Sequence, residues 1–194
     1  MIYAIFANIP CIFIIFKIMH KKRVISEKFI ETIIGAIIAY IITIIVGNIF
    51  QGFVGVIDRS RTILVLGTLV EEISKIVILM FLSRKQIDKY QVVVFGLTFA
   101  LIENFGLSYT DFSMVVLRGI LWFTHSATLI IFAKILYLNH KTKLAYLFGI
   151  FAAVLIHILH NLLTININVF VFGFYLAILY NFTLEIFKEL PNNY

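Results

Sequence analysis

Residues 62–82 read TILVLGTLVEEISKIVILMFL, an apolar run broken only by Glu71, Glu72, Lys75 and a few small polar residues. At 1.5 Å per residue a helix of this length reaches about 30 Å, the thickness of the hydrocarbon core of a bilayer. Charged residues stand at both ends. Arg59 and Arg61 precede the run, and Arg84 and Lys85 follow Ser83. The stretch therefore reads as a membrane-spanning helix with two carboxylates and an ammonium near mid-depth. A charge there costs at least ~2.5–3.5 kcal/mol on the insertion scale, so such groups mark function by default.

The rest of the chain repeats the apolar part of this pattern. Further runs cover Ile2–Ile18, Phe29–Phe50, Tyr90–Leu107, Met114–Leu138, Leu144–Leu163 and Val169–Phe187, and Gln51–Arg61 reads as a polar loop. The 194 residues are 62% hydrophobic and 13% charged, with mean hydropathy +1.05. Soluble domains carry roughly 45–50% apolar and 25% charged residues, so a soluble globular, disordered or fibrous chain is excluded. The expected fold is all-α: a polytopic helical membrane bundle of about seven spans. The whole chain, 1–194, reads as one transmembrane domain with its motif-bearing core at 62–163. The first run has its basic cluster, Lys21-Lys22-Arg23, behind it rather than ahead of it. That order argues for a retained span, not a cleaved leader.

The formal charge of +6 is dispersed in short clusters between apolar runs, which makes it a topology signal and not a nucleic-acid surface. Lys17, Lys21, Lys22, Arg23, Lys28, Arg84, Lys85, Lys89, Lys134, Lys141, Lys143 and Lys188 fall on one side, against Arg59 and Arg61 on the other. The expected topology is N-terminus outside and C-terminus cytoplasmic, in the cell membrane. The single cysteine, Cys11, sits in an apolar run and excludes an internal disulfide or a cysteine-built zinc site.

Few ionisable groups lie deep in the runs. Glu71, Glu72, Glu103, His125 and His157 do, and His160 and Asn161 follow on the same run as His157. Counted from the outer helix ends, Glu71 lies about 14 Å deep, His125 about 17 Å, Glu103 about 6 Å and His157 about 9 Å. With helix tilt, these four runs can bring polar groups together in the outer half of the membrane, as bundle-core sites do. Glu71 and Lys75 share a face, as do His157 and Asn161, and Arg118 and His125. His160 fits a structural role as readily as a catalytic one.

A carboxylate beside histidines activates water, with or without a metal. Two adjacent carboxylates in a low dielectric resist double ionisation and supply a proton acceptor suited to neutral pH. Imidazoles and carboxylates are ordinary zinc ligands, and Glu103, His125 and His157 form the expected set. Asn161 and His157 supply donors to an oxyanion. The chemistry expected is hydrolysis of a carbonyl compound inside the membrane. No His-Glu-x-x-His occurs, no aspartate lies deep in a run, and no serine sits in a Gly-x-Ser-x-Gly setting. A non-catalytic scaffold and a proton-coupled transporter are the competing readings, since intramembrane Glu and His also lock helices together or relay protons.

The motifs resemble those of the PrsW-type intramembrane proteases. Glu71-Glu72-Ile73-Ser74-Lys75 is similar to their Glu-Glu-x-x-Lys, and Phe99-Ala100-Leu101-Ile102-Glu103-Asn104 to their Phe-x-x-x-Glu-Asn. Arg118 with His125 is similar to their third motif-bearing helix, and His157 with Asn161 to their closing His-x-x-x-Asn. The resemblance covers residues 71–161. It implies the wider group that includes CAAX prenyl proteases, bacteriocin-processing proteases and the non-catalytic scaffold subunit of γ-secretase. It further implies a glutamate-dependent endopeptidase acting on water or a metal, with Glu71, Glu72, Glu103, His125, His157 and Asn161 in the catalytic set. The implied partner is a membrane-anchored protein substrate such as an anti-sigma factor. CAAX proteases have Glu-Glu-x-x-x-Arg, and a His where this chain has Glu103, so a prenyl substrate is not expected.

Overall fold

The computed structural model describes residues 2–22, 27–54, 59–83, 88–106, 112–139, 142–165 and 169–192; the side chains of 112–121 and of several helix ends lie outside that description. The described residues form seven helices. These are α1 (Ile2–Lys22), α2 (Glu27–Val54), α3 (Arg59–Ser83), α4 (Lys89–Gly106), α5 (Phe112–Leu138), α6 (Lys143–Ile165) and α7 (Val169–Glu189). Each matches one apolar run. The loop expected over Gln51–Arg61 is mostly helix, because α2 continues to Val54 and α3 begins at Arg59. Polar residues at a helix end need no turn when the end lies beyond the apolar zone.

Among the described residues three helical segments are long and apolar enough to cross a membrane: Glu27–Phe50, Lys143–Thr164 and Phe170–Glu189. These mark the chain as a membrane protein. Ile5–His20 of α1 and Trp122–Leu138 of α5 are apolar but shorter. The expected count of seven such helices is therefore not reached. In α3 the charges of Glu71, Glu72 and Lys75 interrupt the apolar stretch, and in α4 Lys89, Gln91, Glu103 and Asn104 occupy an 18-residue helix. Two of the helices that carry the polar cluster, α3 and α4, thus depart in composition from a lipid-facing span, whereas α6, which carries His157, does not.

Five helices close a ring in the order α2–α3–α6–α5–α4 and back to α2. Helix α1 lies outside against α4 and α5, and α7 outside against α5 and α6. The outward faces of α6 and α7 are apolar stripes at helical spacing: Leu147, Phe151 and Leu155, then Phe170, Phe174 and Ile178, all exposed. Stripes of this size suit hydrocarbon, not water. Helices α4 and α5 approach closely at Gly96. A Cβ on Gly96 would lie 2.7 Å from both the Cα and the N of Ser126, so only glycine permits this approach.

The buried apolar core is lopsided. Ile76 and Leu79 of α3, Val92, Phe95 and Phe99 of α4, Leu129, Phe132 and Leu136 of α5, and Ala145 and Ala153 of α6 pack into one cluster. Along every one of these helices the cluster lies on the same side of the deep polar residues. It follows Lys75 and His125, and it precedes Glu103 and His157. One half of the ring is thus a dry plug, and the polar groups sit on top of it.

Candidate active site

Helix α3 supplies the base of the site. Glu71 and Glu72 lie one turn before Lys75, and the lysine ammonium turns back to both. Its Nζ donates to Glu71 Oε1 at 3.0 Å and to Glu72 Oε1 at 2.7 Å. It also stands 3.0 Å from Nδ1 of His125 on α5. An ammonium has three donors and no acceptor, so all three protons are used and Nδ1 of His125 accepts. The proton of that imidazole then belongs on Nε2, which faces Oε2 of Glu103 at 2.8 Å with its N–H off the line to the oxygen. Nδ1 of His125 is also 3.1 Å from Glu71 Oε1, a contact that donates nothing once Lys75 holds the nitrogen.

From α6, Nδ1 of His157 donates to Glu72 Oε1 at 2.6 Å and lies 3.6 Å from Glu71 Oε1. The two imidazoles stand edge to face, with centroids 5.1 Å apart at 88°. Phe99 closes the floor. Its ring lies 4.9 Å below Lys75 Nζ and 5.4 Å from the His125 ring. Two carboxylates, Glu71 and Glu72, share the Lys75 ammonium, while the third, Glu103, meets the cluster through Nε2 of His125.

Burial divides the two adjacent glutamates. The side chains of Glu72 and Lys75 are fully buried, whereas Glu71 is 14% and Glu103 23% exposed. Oε2 of Glu72 is buried and has no hydrogen-bond partner among the described residues. A buried carboxylate oxygen left so is costly, and it is free to accept from a bound molecule.

The residues expected to converge from α3, α4, α5 and α6 thus meet. Asn161 does not enter the cluster; its amide donates to Thr68 Oγ1 at 3.1 Å, tying α6 to α3 one turn above Glu72. His160 turns away altogether. Its Nδ1 pairs with Thr124 Oγ1 at 2.9 Å, and its ring lies against Phe172 and Tyr175 of α7. Arg118 has its side chain outside the described residues.

The expected metal set changes as well. The donors that gather within 4.8 Å of one another belong to Glu71, Glu72, His125 and His157. Glu103 is not among them, because it sits on the far nitrogen of His125. In type, two carboxylates and two imidazoles are a donor set that could hold a metal ion. Three of them, however, already bond the Lys75 ammonium, which stands where such an ion would go.

Several contributors escape sequence reasoning. Asn104 of the Phe-x-x-x-Glu-Asn stretch faces outward, where its amide donates to Asn8 Oδ1 of α1 at 3.1 Å. Tyr40 of α2 packs edge-on to Phe99, and its hydroxyl lies where a Cβ on Gly106 would be. An isolated tyrosine in an aliphatic run was the available signal for the latter.

No protein-family model, no curated protein and no solved structure matches this chain. Function has to be read from the site itself.

Proposed function

We propose that this protein is an intramembrane endopeptidase that hydrolyses a peptide bond of a membrane-anchored protein with a glutamate-activated water. The observation that carries this reading is the junction of Glu71, Glu72, Glu103, His125 and His157 from four helices. The similarity of the motifs to PrsW-type proteases points the same way. The reading includes seven spans, an outside N-terminus and a site in the outer half of the bilayer of the cell membrane. Arg23, Arg84, Lys85 and Lys141, which carry part of the charge bias behind that topology, lie outside the described residues.

The roles follow from burial. Glu71 is the partly exposed member of the pair and takes the proton of the attacking water. Glu72 is held by Lys75 and His157 and keeps Glu71 in place. For the oxyanion that forms from the scissile carbonyl, the donors of this reading are a protonated His157, through Nε2 while Nδ1 stays on Glu72, and the second N–H of Asn161, which lies one turn above Glu72 rather than in the cluster. Each such donor is worth about 10²–10³ in rate. Glu71 then returns the proton to the departing amine. His125, oriented by Glu103, holds the outer edge of the cluster.

A second reading, a non-catalytic scaffold, is favoured by one feature: every proton of Lys75 is used within the cluster. A transporter is disfavoured by the dry plug, since Ile76, Leu79, Phe95, Phe99, Leu129 and Phe132 interrupt any polar path among the described residues. The deciding experiment compares cells expressing wild type or Glu71→Gln by mass spectrometry of new protein termini. Termini in single-span membrane proteins that appear only with wild type support the protease. The same termini with both, or none with either, sinks it.

A further inference from the structure

The four donors that would hold a metal ion surround a lysine. We infer that the Lys75 ammonium is the resident cation of this site and that the chain, as it stands, takes no divalent metal among Glu71, Glu72, His125 and His157. The inference concerns the site and not the reaction. It holds whether the cluster cleaves peptides or only joins helices.

Geometry comes first. Tetrahedral zinc asks for carboxylate oxygens and imidazole nitrogens at about 2.0–2.2 Å, each with a lone pair free. Here Glu71 Oε1, Glu72 Oε1 and Nδ1 of His125 direct their lone pairs at Nζ from 3.0, 2.7 and 3.0 Å. Those are ordinary distances for charge-assisted hydrogen bonds to an ammonium. Three donors meet three acceptors, so none of these three lone pairs is left for a second cation.

Displacement is the other question. A metal ion entering the cluster would repel the ammonium, which must then move. Lys75 is fully buried and is tethered to α3 beside Ile76 and Leu79, above Phe99. Behind it lies the dry plug, where an unpaired ammonium is far costlier than in water. The lysine has no polar retreat in that direction. The carboxylates that attract zinc also hold the lysine, and the lysine arrives with the fold.

The same geometry says what happens when the lysine is removed. Two carboxylates and two imidazoles, close together and deprived of their counter-charge, become an open zinc site. Oε2 of Glu72, buried and lacking a hydrogen-bond partner among the described residues, adds a further oxygen to it.

The test uses full-length protein purified in detergent, equilibrated with excess zinc and passed through a desalting column. Metal is then counted by elemental analysis, and cobalt(II) replaces zinc for visible absorption. Wild type should retain less than about a tenth of an equivalent. Lys75→Ala should retain about one equivalent and show the strong absorption of tetrahedral cobalt, as the donor set requires. Lys75→Met, which keeps the packing volume without the charge, serves if the alanine variant does not fold. Adding Glu72→Gln to either should lower zinc affinity at least tenfold. Lys75→Arg should remain metal-free. About one equivalent in wild type, lost in His157→Ala, would overturn the inference. So would a folded Lys75→Ala or Lys75→Met that binds no zinc. The protease reading fails separately, through the terminus comparison with Glu71→Gln.

Discussion

Nδ1 of His157 stands 2.6 Å from Oε1 of Glu72, across 85 residues of sequence, with the His157 side chain 3% exposed and that of Glu72 fully buried. This contact joins α6 to α3 and lies next to the Lys75–Glu72 pair. Removing Glu72 would take from the buried ammonium the shorter of its two carboxylate contacts and leave the His157 N–H without its acceptor. Breaking a buried pair from one side costs about 3–5 kcal/mol. Glu72→Ala should lower unfolding stability in detergent by that order. A change below about 1 kcal/mol, the level of exposed pairs, would mean that the pair is not buried as described.

Glu71→Gln should leave the fold intact and stop proteolysis, because the amide keeps the shape and removes the proton acceptor. Glu72→Gln should also be severe, since it weakens the bonds from His157 and Lys75 that hold the pair. The measurement is cleavage of a substrate found by terminus mapping, with circular dichroism as the check on folding. Cleavage by folded Glu71→Gln at the wild-type rate refutes the assignment.

The contrast between two glycines tests the packing of the ring. Gly96→Ala drives a methyl against the backbone of Ser126, and overpacking of this kind typically costs about 1–3 kcal/mol. Around Gly173 nothing lies within 4 Å of the added carbon, so Gly173→Ala should be near neutral. Thermal melts of the two variants side by side decide the point. Equal melting temperatures would contradict the close approach of α4 and α5.

His160 should act through structure. Its bond to Thr124 links α6 to α5 at the residue preceding His125, so Thr124→Val should cost about 1–3 kcal/mol by leaving the imidazole nitrogen unsatisfied. Thr124→Ser keeps the hydroxyl and should retain most of the stability. If valine is tolerated as well as serine, the link does not hold the helices.

Topology is open to a chemical test. Cys11 is fully buried, so the wild-type background should label poorly with a membrane-impermeant thiol reagent. A cysteine placed at Lys85 should label only after the cells are opened. Labelling from outside intact cells would invert the topology and the side from which the site is reached.

The helices were legible because lipid imposes a plain rule: apolar runs of span length, ended by charge. The end of α2 was not, because Gln51 and Gly52 resemble a turn in sequence while remaining helical in place. The cluster was legible for a related reason. Depth along a helix and facing around it are both fixed by residue number, which is enough to bring Glu71, Glu103, His125 and His157 together. What residue number does not fix is which atom of a side chain meets which. Glu103 therefore occupies the far nitrogen of His125 rather than a metal position. His160 and Asn161 flank the face of His157 by roughly −60° and +40°, as a period of 3.6 residues requires. That divergence sends one to α7 and the other to Thr68. The threefold engagement of Lys75 was out of reach of spacing arguments that pair residues two at a time.

The dry half of the ring has an electrical consequence. In a bilayer held at a voltage, the field falls mainly where no water and no mobile charge can screen it. Within this bundle that region is the apolar packing around Phe95, Leu129 and Phe132. With the site in the outer half of the bilayer, as proposed, the charges of Glu71, Glu72 and Lys75 would stay close to the outer potential, and protons would reach them without crossing the insulating layer. On that placement a cell would carry these ionisable groups inside its membrane without acquiring a leak.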